Sequence, residues 1–597
     1  MKSQSAVVPA SPAGSQLAQR QPGSVTAKWM KQFLPWLIKT SWAIPALFLA
    51  VGFLVFSSGL NNPFMGDDSI QIVNNPTVHS IKNIGSFFVG GSGYSGNPNK
   101  PLTGVFYRPI MTTTFSVIYS VFGPNPLPFH LLQLLLHIAA AYLCYLILKR
   151  FLKSPVALLL AIIFLVHPIN SQSVFAIANM QEPLYMTFGL LGLWVLIRFK
   201  GLWATAGSIL CLALSLFSKE TGILFFCMSV IYLFLFDSRL RLVIFSGSSL
   251  IFGIGYAIIR TLAVGFAHNP RIAPIDSLGL ISRLASFPAQ IILYVTTFIF
   301  PVHIASRYYW VYSYGSFPHF WVPLFFGLTL LILALYVGAI LKEKNHKSFL
   351  TYLFFGLWLG IGLVFHSQIL PLDQTASDAW FYFSVIGLLG MLGASTDLIN
   401  RKWLGPIGVV TCLIIVLLGA RTYLRGFDWQ SEATLSSIDV KISQNDFIGD
   451  YELAYYSLAN GHVTTAENYA NESVSIYPTV ANTDTLARAY IREGNYARAM
   501  DAFQEGLNLH EPYFVLYDDL ASLSLYYGNP QRDARFYANA SIMFPNDPTI
   551  LLAEAVAKYR IRDIVGAKTA ITQAHRYSNS TLINDVYFKI MHNESLG

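Results

Sequence analysis

Eleven runs of apolar residues, most of them close to the length that crosses a lipid bilayer, constrain this 597-residue chain more than any other feature. They fall near 42–60, 130–149, 155–168, 182–198, 203–217, 221–236, 243–262, 319–341, 350–366, 378–395 and 404–421. About 20 apolar residues in a helix cover the hydrocarbon core. In lipid, only helices and closed barrels satisfy every backbone polar group, so runs of this length read as helices. Charged residues make up 12% of the chain, about half of what a soluble protein carries. The first two thirds are therefore an integral membrane unit, and residues 425–597 read as ordinary soluble sequence. The net charge of +8 comes largely from short loops, where basic residues set topology. It gives no reason to expect a nucleic-acid partner.

The basic clusters test the threading. Lys28, Lys31 and Lys39 precede the first run, and Lys149, Arg150 and Lys153 follow the second. Arg198 with Lys200, Arg239 with Arg241, Lys342 with Lys344 and Lys347, and Arg401 with Lys402 follow later runs. With eleven spans, all of them fall on the N-terminal side of the membrane, which the positive-inside rule makes cytoplasmic. The expected organisation is a disordered cytoplasmic segment at 1–41, a membrane unit at 42–424 with a long first outer loop at 61–129, and an extracytoplasmic unit at 425–597. The first run is too long for a signal-peptide core and reads as a retained anchor. Residues 284–302 are apolar enough to span. A twelfth crossing would put Lys342–Lys347 on the wrong side, so an interfacial or re-entrant helix on the outer face is expected. The first loop carries turn chemistry at Gly90-Gly91-Ser92-Gly93 and Asn97-Pro98-Asn99. Four cysteines, all in apolar runs, imply no disulfide framework.

Residues 450–583 repeat. Ala466, Ala499, Ala534 and Ala567 recur at spacings of 33, 35 and 33, preceded by Leu453-Ala454, Leu486-Ala487 and Leu520-Ala521. Gly461, Gly494 and Gly528 fall between the two helices of each unit, and Pro478, Pro512 and Pro545 near the ends. A period near 34 with small residues at the helix crossing is the tetratricopeptide pattern. It predicts four degenerate repeats stacked into a solenoid whose groove binds peptides or proteins.

Chemistry is carried by charge at the membrane edge. Asp67 and Asp68 lie just beyond the first apolar run, and an ionised pair there costs free energy unless it has work to do. Two adjacent carboxylates also push one pKa upward. Arg108, flanked by Tyr107 and Pro109, offers a fork that matches phosphate oxygens. Lys219 and Glu220 end the fifth run and either pair with each other or face a site. Arg307 and Tyr308 follow the re-entrant segment. His130 and His137 share a helix face, where hydrogen bonding within the bundle competes with ligand binding as their role. His167 and Glu182 flank the second outer loop, and His366 and Asp373 flank the loop before the tenth span. No carboxylate–histidine cluster has metal-like spacing, so no metal is expected, although divalent-metal use stays open.

Taken in order, these motifs resemble those of the transmembrane and tetratricopeptide-repeat O-mannosyltransferases. Asp67-Asp68 with Ile72 and Asn75 is similar to the DD-x-x-x-I-x-x-N of that family's first outer loop, and Tyr107-Arg108-Pro109 to its YRP. Phe129-His130-Leu131 with Leu136-His137, His167-Pro168-Ile169, and Ser218-Lys219-Glu220 with Gly222 resemble its FHL…LLH, HPI and SKE-x-G. Tyr382 with Gly387 resembles its Y-x-x-x-x-G, and Arg425, Trp429 and Glu432 its lead into the repeats. The resemblance implies an all-α chain: a polytopic helical membrane protein of the GT-C type, with about eleven spans, followed by an extracytoplasmic tetratricopeptide-repeat α-solenoid. It also implies an inverting glycosyltransferase that moves a sugar from a polyprenyl phosphate to a hydroxyl, Ser or Thr of a protein. The partners so implied are the lipid-linked sugar, membrane lipid and a protein acceptor docked on the repeats. On that reading Asp67 is the base, Asp68 its orienting partner and Arg108 the first contact for the donor phosphate. Tyr107, His130, His137, His167, Glu182, Lys219, Glu220, Arg307 and Tyr308 are further candidates for the substrate site. The chain departs from the family where Asn170-Ser171-Gln172 replaces H-T-E, Asn179-Met180-Gln181 precedes the retained Glu182, and Asp378-Ala379 replaces E-R. Two rivals stand beside this reading: an O-antigen-ligase-type oligosaccharyltransferase, and a non-enzymatic scaffold that displays repeats.

Overall fold

The computed structural model describes residues 42–94, 102–265, 272–510 and 513–596. The expectations for residues 1–41, including Lys28, Lys31 and Lys39, and for Asn97-Pro98-Asn99 lie outside the described residues. The chain is all-α apart from a pair of two-residue strands, Gly93–Tyr94 with Leu102–Thr103. Each of the eleven apolar runs forms a helix. Among the described residues eight helices are long and apolar enough to span, or nine if the bent pair Ser154–Val166 and Pro168–Phe175 counts as one crossing. Three expected spans are shorter: Ala43–Phe56 with 14 residues, Leu202–Ser218 with 17 and Ile223–Phe236 with 14. Local chemistry stops them. Gly201 at φ 90° starts the second of these, and the polar residues 218–221, with a tight turn at Glu220–Gly222, separate it from the third. A Cβ on Gly222 would lie 2.6 Å from the backbone of Leu216, so only glycine makes that turn.

The bundle packs on buried aromatic and aliphatic side chains, among them Phe48, Tyr145, Phe225, Trp358 and Tyr382. The helices His346–Phe365 and Phe381–Ser395 approach so closely that a Cβ on Gly387 would sit 2.4 Å from the Leu359 backbone nitrogen. Loops at one end of the bundle are tied together by Lys153 and Ser348 on Asp397 (3.2 and 2.6 Å) and by Arg241 on Asp237 (2.7 Å). These loops hold the basic clusters that follow the spans.

Leu280–Ile299 is long and apolar enough to span, yet both its ends meet the other end of the bundle. Arg283 donates to the carbonyls of Gln368 and Ile369 (2.9 and 3.0 Å), and Gln290 to that of His366 (3.0 Å). The Phe298 carbonyl meets the His167 ring at 2.9 Å. Its contacts are thus with the loop at 366–369 and with His167.

The helix Arg401–Asp428 runs through the expected boundary at 424 and ends at Asp428. Beyond it, Glu432–Ile442 leads into four helix pairs: Phe447–Ala459 with Val463–Ile476, Val480–Glu493 with Tyr496–Asn508, Phe514–Tyr527 with Pro530–Met543, and Pro548–Arg560 with Ile564–Tyr577. Thr581–His592 packs on the last pair. Ala466, Ala499, Ala534 and Ala567 are buried at the crossings, as the small-residue pattern predicts. Gly461 and Gly494 turn at φ 78° and 79°, where a side chain would be strained.

Candidate active site

The loop after the first helix is shaped by its own residues. Gly66 adopts φ 51°, and Asp67 and Asp68 begin a short helical turn that continues through Ser69–Val73. Ile72 is fully buried in a small core with Met111, Phe115 and Phe129. The Asn75 side chain accepts from the Thr77 amide (3.1 Å) and donates to the Gln71 carbonyl (3.3 Å). The isoleucine and asparagine of the motif thus build the turn that presents the acids.

The two acids differ. The Asp68 carboxyl is buried and accepts from the Met65 amide at 2.8 Å. Burial raises its pKa to about 7, against the pull of the Met65 and Ala178 backbone groups and with a contribution from the Asp67 charge. Asp67 keeps free surface, yet crowding by the protein desolvates it enough to raise its pKa as well, opposed mainly by Arg307 and then by Arg108. Asp67 thus sits exposed among charged side chains from several elements, which together outline a recess around it.

The recess gathers most of the charged residues singled out above. Arg108 meets Glu220 at 3.4 Å (Nε to Oε2) and stacks over Phe106 at 4.2 Å. The other Glu220 oxygen accepts from the Tyr107 amide (3.2 Å), and the Tyr107 hydroxyl donates to the Phe88 carbonyl (3.0 Å). Among the described residues, the terminal nitrogens of Arg108 donate to no protein acceptor. Lys219 does not pair with its neighbour Glu220. Its ammonium binds Glu182, buried on the helix Gln181–Arg198, and lies 5.5 Å from the Tyr185 ring. Arg307 holds Glu452 of the first repeat with both forks (2.9 and 2.8 Å) and has Asp446 at 3.8 Å.

The histidines and Tyr308 serve the scaffold. His130 bonds the Asn62 carbonyl (3.1 Å), and His137 bridges the Tyr382 hydroxyl (2.6 Å) and the Leu165 carbonyl (2.9 Å). His167 meets the Phe298 carbonyl and accepts from the Ile169 amide (3.1 Å). The buried Tyr308 binds the Ala305 amide through its hydroxyl (3.2 Å) and the Thr375 amide through its carbonyl (2.8 Å). All four lie where the sequence expects them but donate and accept within the bundle.

Three acids at the recess were not among the candidate site residues. Asp373 has its pKa raised by burial, eased by Arg108 and reinforced by Asp67. Its only signal was a lone acid in a short loop between spans. Glu432 accepts from the Gly66 amide, and Glu452 holds Arg307. Glu432 is visible in the lead-in motif, whereas nothing in the repeat pattern marks Glu452. Among the described residues, no three His, Cys, Asp or Glu side chains are grouped to hold a metal ion.

No family model matches the chain. A protein O-mannosyl-transferase of Caenorhabditis elegans is 22% identical over 450 residues, covering 71% of this chain and 61% of the relative. The human protein O-mannosyl-transferase TMTC1 is 30% identical over 206 residues, covering 31% of this chain and 23% of the relative. The chain resembles the protein O-mannosyl-transferases. It matches 61% or less of the length of each of these O-mannosyl-transferases. ArnT from Cupriavidus metallidurans, crystallised bound to undecaprenyl phosphate, aligns over 84% of this chain and 80% of its own with a TM-score of 0.38 and 15% identity.

Proposed function

We propose that the chain is an inverting glycosyltransferase that moves a sugar from a polyprenyl-phosphate donor to a hydroxyl, that of Ser or Thr in a protein acceptor. The observation that carries this reading is the pairing, in one recess, of the accessible but desolvated Asp67 carboxylate with an arginine, Arg108, whose terminal nitrogens donate to no acceptor among the described residues. The names of its relatives support the same chemistry.

In this mechanism Asp67 accepts the proton of the acceptor hydroxyl as its oxygen attacks the anomeric carbon. The bond from that carbon to the phosphate oxygen breaks, and the polyprenyl phosphate leaves with the electron pair. Its charge is met by Arg108, which Glu220 aims, and the Lys219–Glu182 pair sits behind. Inversion follows from a single displacement. One base suffices because the leaving group departs as an anion and needs no acid, in contrast to glycoside hydrolysis. The step as written uses no metal.

Residues 42–424 form the transfer unit in this reading, and residues 425–597 dock the acceptor. The recess and the first repeat share one end of the bundle, and the basic loops share the other. By the positive-inside rule the site then faces away from the cytoplasm. The test is transfer of labelled sugar from polyprenyl-phosphate donors to Ser- and Thr-containing acceptors by the purified, reconstituted chain. Asp67→Asn should lower kcat by about 10²-fold or more with unchanged thermal unfolding. Retained transfer in that variant would overturn the assignment.

A further inference from the structure

The repeat segment touches the recess at two points, at Gly66 and at Arg307. The Gly66 amide, immediately before Asp67, donates to one oxygen of Glu432. The other Glu432 oxygen accepts from the Tyr456 hydroxyl at 2.6 Å. Arg307, the strongest charge opposing the desolvation of Asp67, is gripped by Glu452, which also accepts from the Ser436 hydroxyl. Glu452 and Tyr456 are four residues apart on the helix Phe447–Ala459, so one helix face makes both contacts. Glu432 is itself fixed at the first turn of its helix, where the Ser431 hydroxyl accepts from the Thr434 amide (3.1 Å).

A glycine in the left-handed region swings freely unless something holds it. The turn is closed locally by the Asp68 amide on the Met65 carbonyl (3.0 Å) and the Ser69 amide on the Gly66 carbonyl (3.1 Å), and the repeat segment takes the Gly66 amide itself. We propose that Glu432 and Tyr456 are positioning residues for Asp67, so that the first tetratricopeptide repeat completes the catalytic site as well as docking the acceptor. This rests on the transfer reading above. Its consequence is that motion of the first repeat is transmitted to the base through Tyr456, Glu432 and Gly66.

The charged groups acting on Asp67 are Arg307, Glu452, Arg108 and Glu432, with Asp68 and Asp373 also facing it. Glu432→Gln keeps an oxygen for the Gly66 amide but removes one negative charge. It should hold kcat within a few fold and move the acid limb of the kcat/KM profile to lower pH. Glu432→Ala should cost about 10²-fold in kcat, the order expected for a misplaced catalytic group, with the donor KM within about twofold. A glutamate acting by charge alone would move the acid limb in Glu432→Ala as well but leave kcat unchanged.

Hydrogen exchange gives a readout that does not need turnover. In Glu432→Ala the peptide containing Gly66 should exchange faster than in the wild type, Tyr456→Phe should show a smaller change in the same direction, and the rest of the bundle should be unaltered. Unchanged exchange at Gly66 overturns the positioning proposal whether or not the wild type transfers sugar. Faster exchange in a chain that transfers nothing upholds the coupling and sinks the transfer reading alone.

Discussion

Asp68 retains its proton to about pH 7 when folded and to about the ordinary carboxylate value when unfolded. Between pH 4 and 7 the native state binds more protons, so stability falls as pH rises through that window and levels off above it. Asp68→Asn, whose side-chain oxygen still accepts the Met65 amide, should remove the Asp68 share of that slope. It should be the more stable protein at pH 8, by a margin of about 4 kcal/mol at most from the roughly 3-unit shift. Thermal unfolding in detergent from pH 4.5 to 8 checks this, and parallel slopes for the two proteins would refute it. The acid pair was legible in the sequence because charge beside an apolar run is costly. Which acid is free was not, since both look alike until the Met65 amide claims one. The histidine pairs illustrate the opposite limit. His137 was readable as a buried polar residue, but its Tyr382 partner lies 245 residues away, beyond the reach of any local pattern.

At the scale of helices, the 34-residue period identified every repeat pair, and apolar length identified the long spans but not Pro109–Phe122, a 14-residue apolar helix inside the expected first loop. The expected bounds 203–217 and 221–236 match the helices Leu202–Ser218 and Ile223–Phe236 to within two residues. The polar residues 218–221 mark the break, and the tight turn at Glu220–Gly222 closes it. That same turn separates Lys219 from Glu220 and sends them to Glu182 and Arg108, which adjacency in sequence could not reveal. Close helix approach gives a sharp expectation. Gly387→Ala would drive a methyl against the Leu359 nitrogen and the Phe355 carbonyl, at 2.4 and 2.8 Å. Because the obstacle is backbone, the helices must separate, at a cost of about 1–3 kcal/mol. That loss should appear as a lower melting temperature in detergent and lower yield. Gly360→Ala, on the neighbouring helix with nothing within 4 Å of its would-be Cβ, is the control expected to be neutral or mildly stabilising.

For the molecule as a whole, the membrane bundle and the repeats are joined by ionic contacts as well as by chain. Arg307 is 17% exposed and Glu452 is 15% exposed at the side chain, so the pair is largely removed from water. Arg307→Ala leaves Glu452 and Asp446 facing each other without a cation and should destabilise the junction by about 3 kcal/mol. Arg307→Met with Glu452→Met should recover much of that loss. Limited proteolysis between Asp428 and Val463 reports the loosening, and equal cleavage in the single and double variants would contradict it. The three short helices have a consequence for the surrounding lipid. At 14–17 residues and about 1.5 Å per residue, they reach only about 21–26 Å, several ångströms less than the roughly 30 Å thickness of a hydrocarbon layer. Asp67 follows the first, and Lys219 and Glu220 sit between the other two. Where such short helices meet lipid, hydrophobic mismatch thins the leaflet or sinks the helix ends beneath the neighbouring headgroups. A thinned leaflet brings the headgroup level closer to Asp67, Lys219 and Glu220 at the ends of these helices.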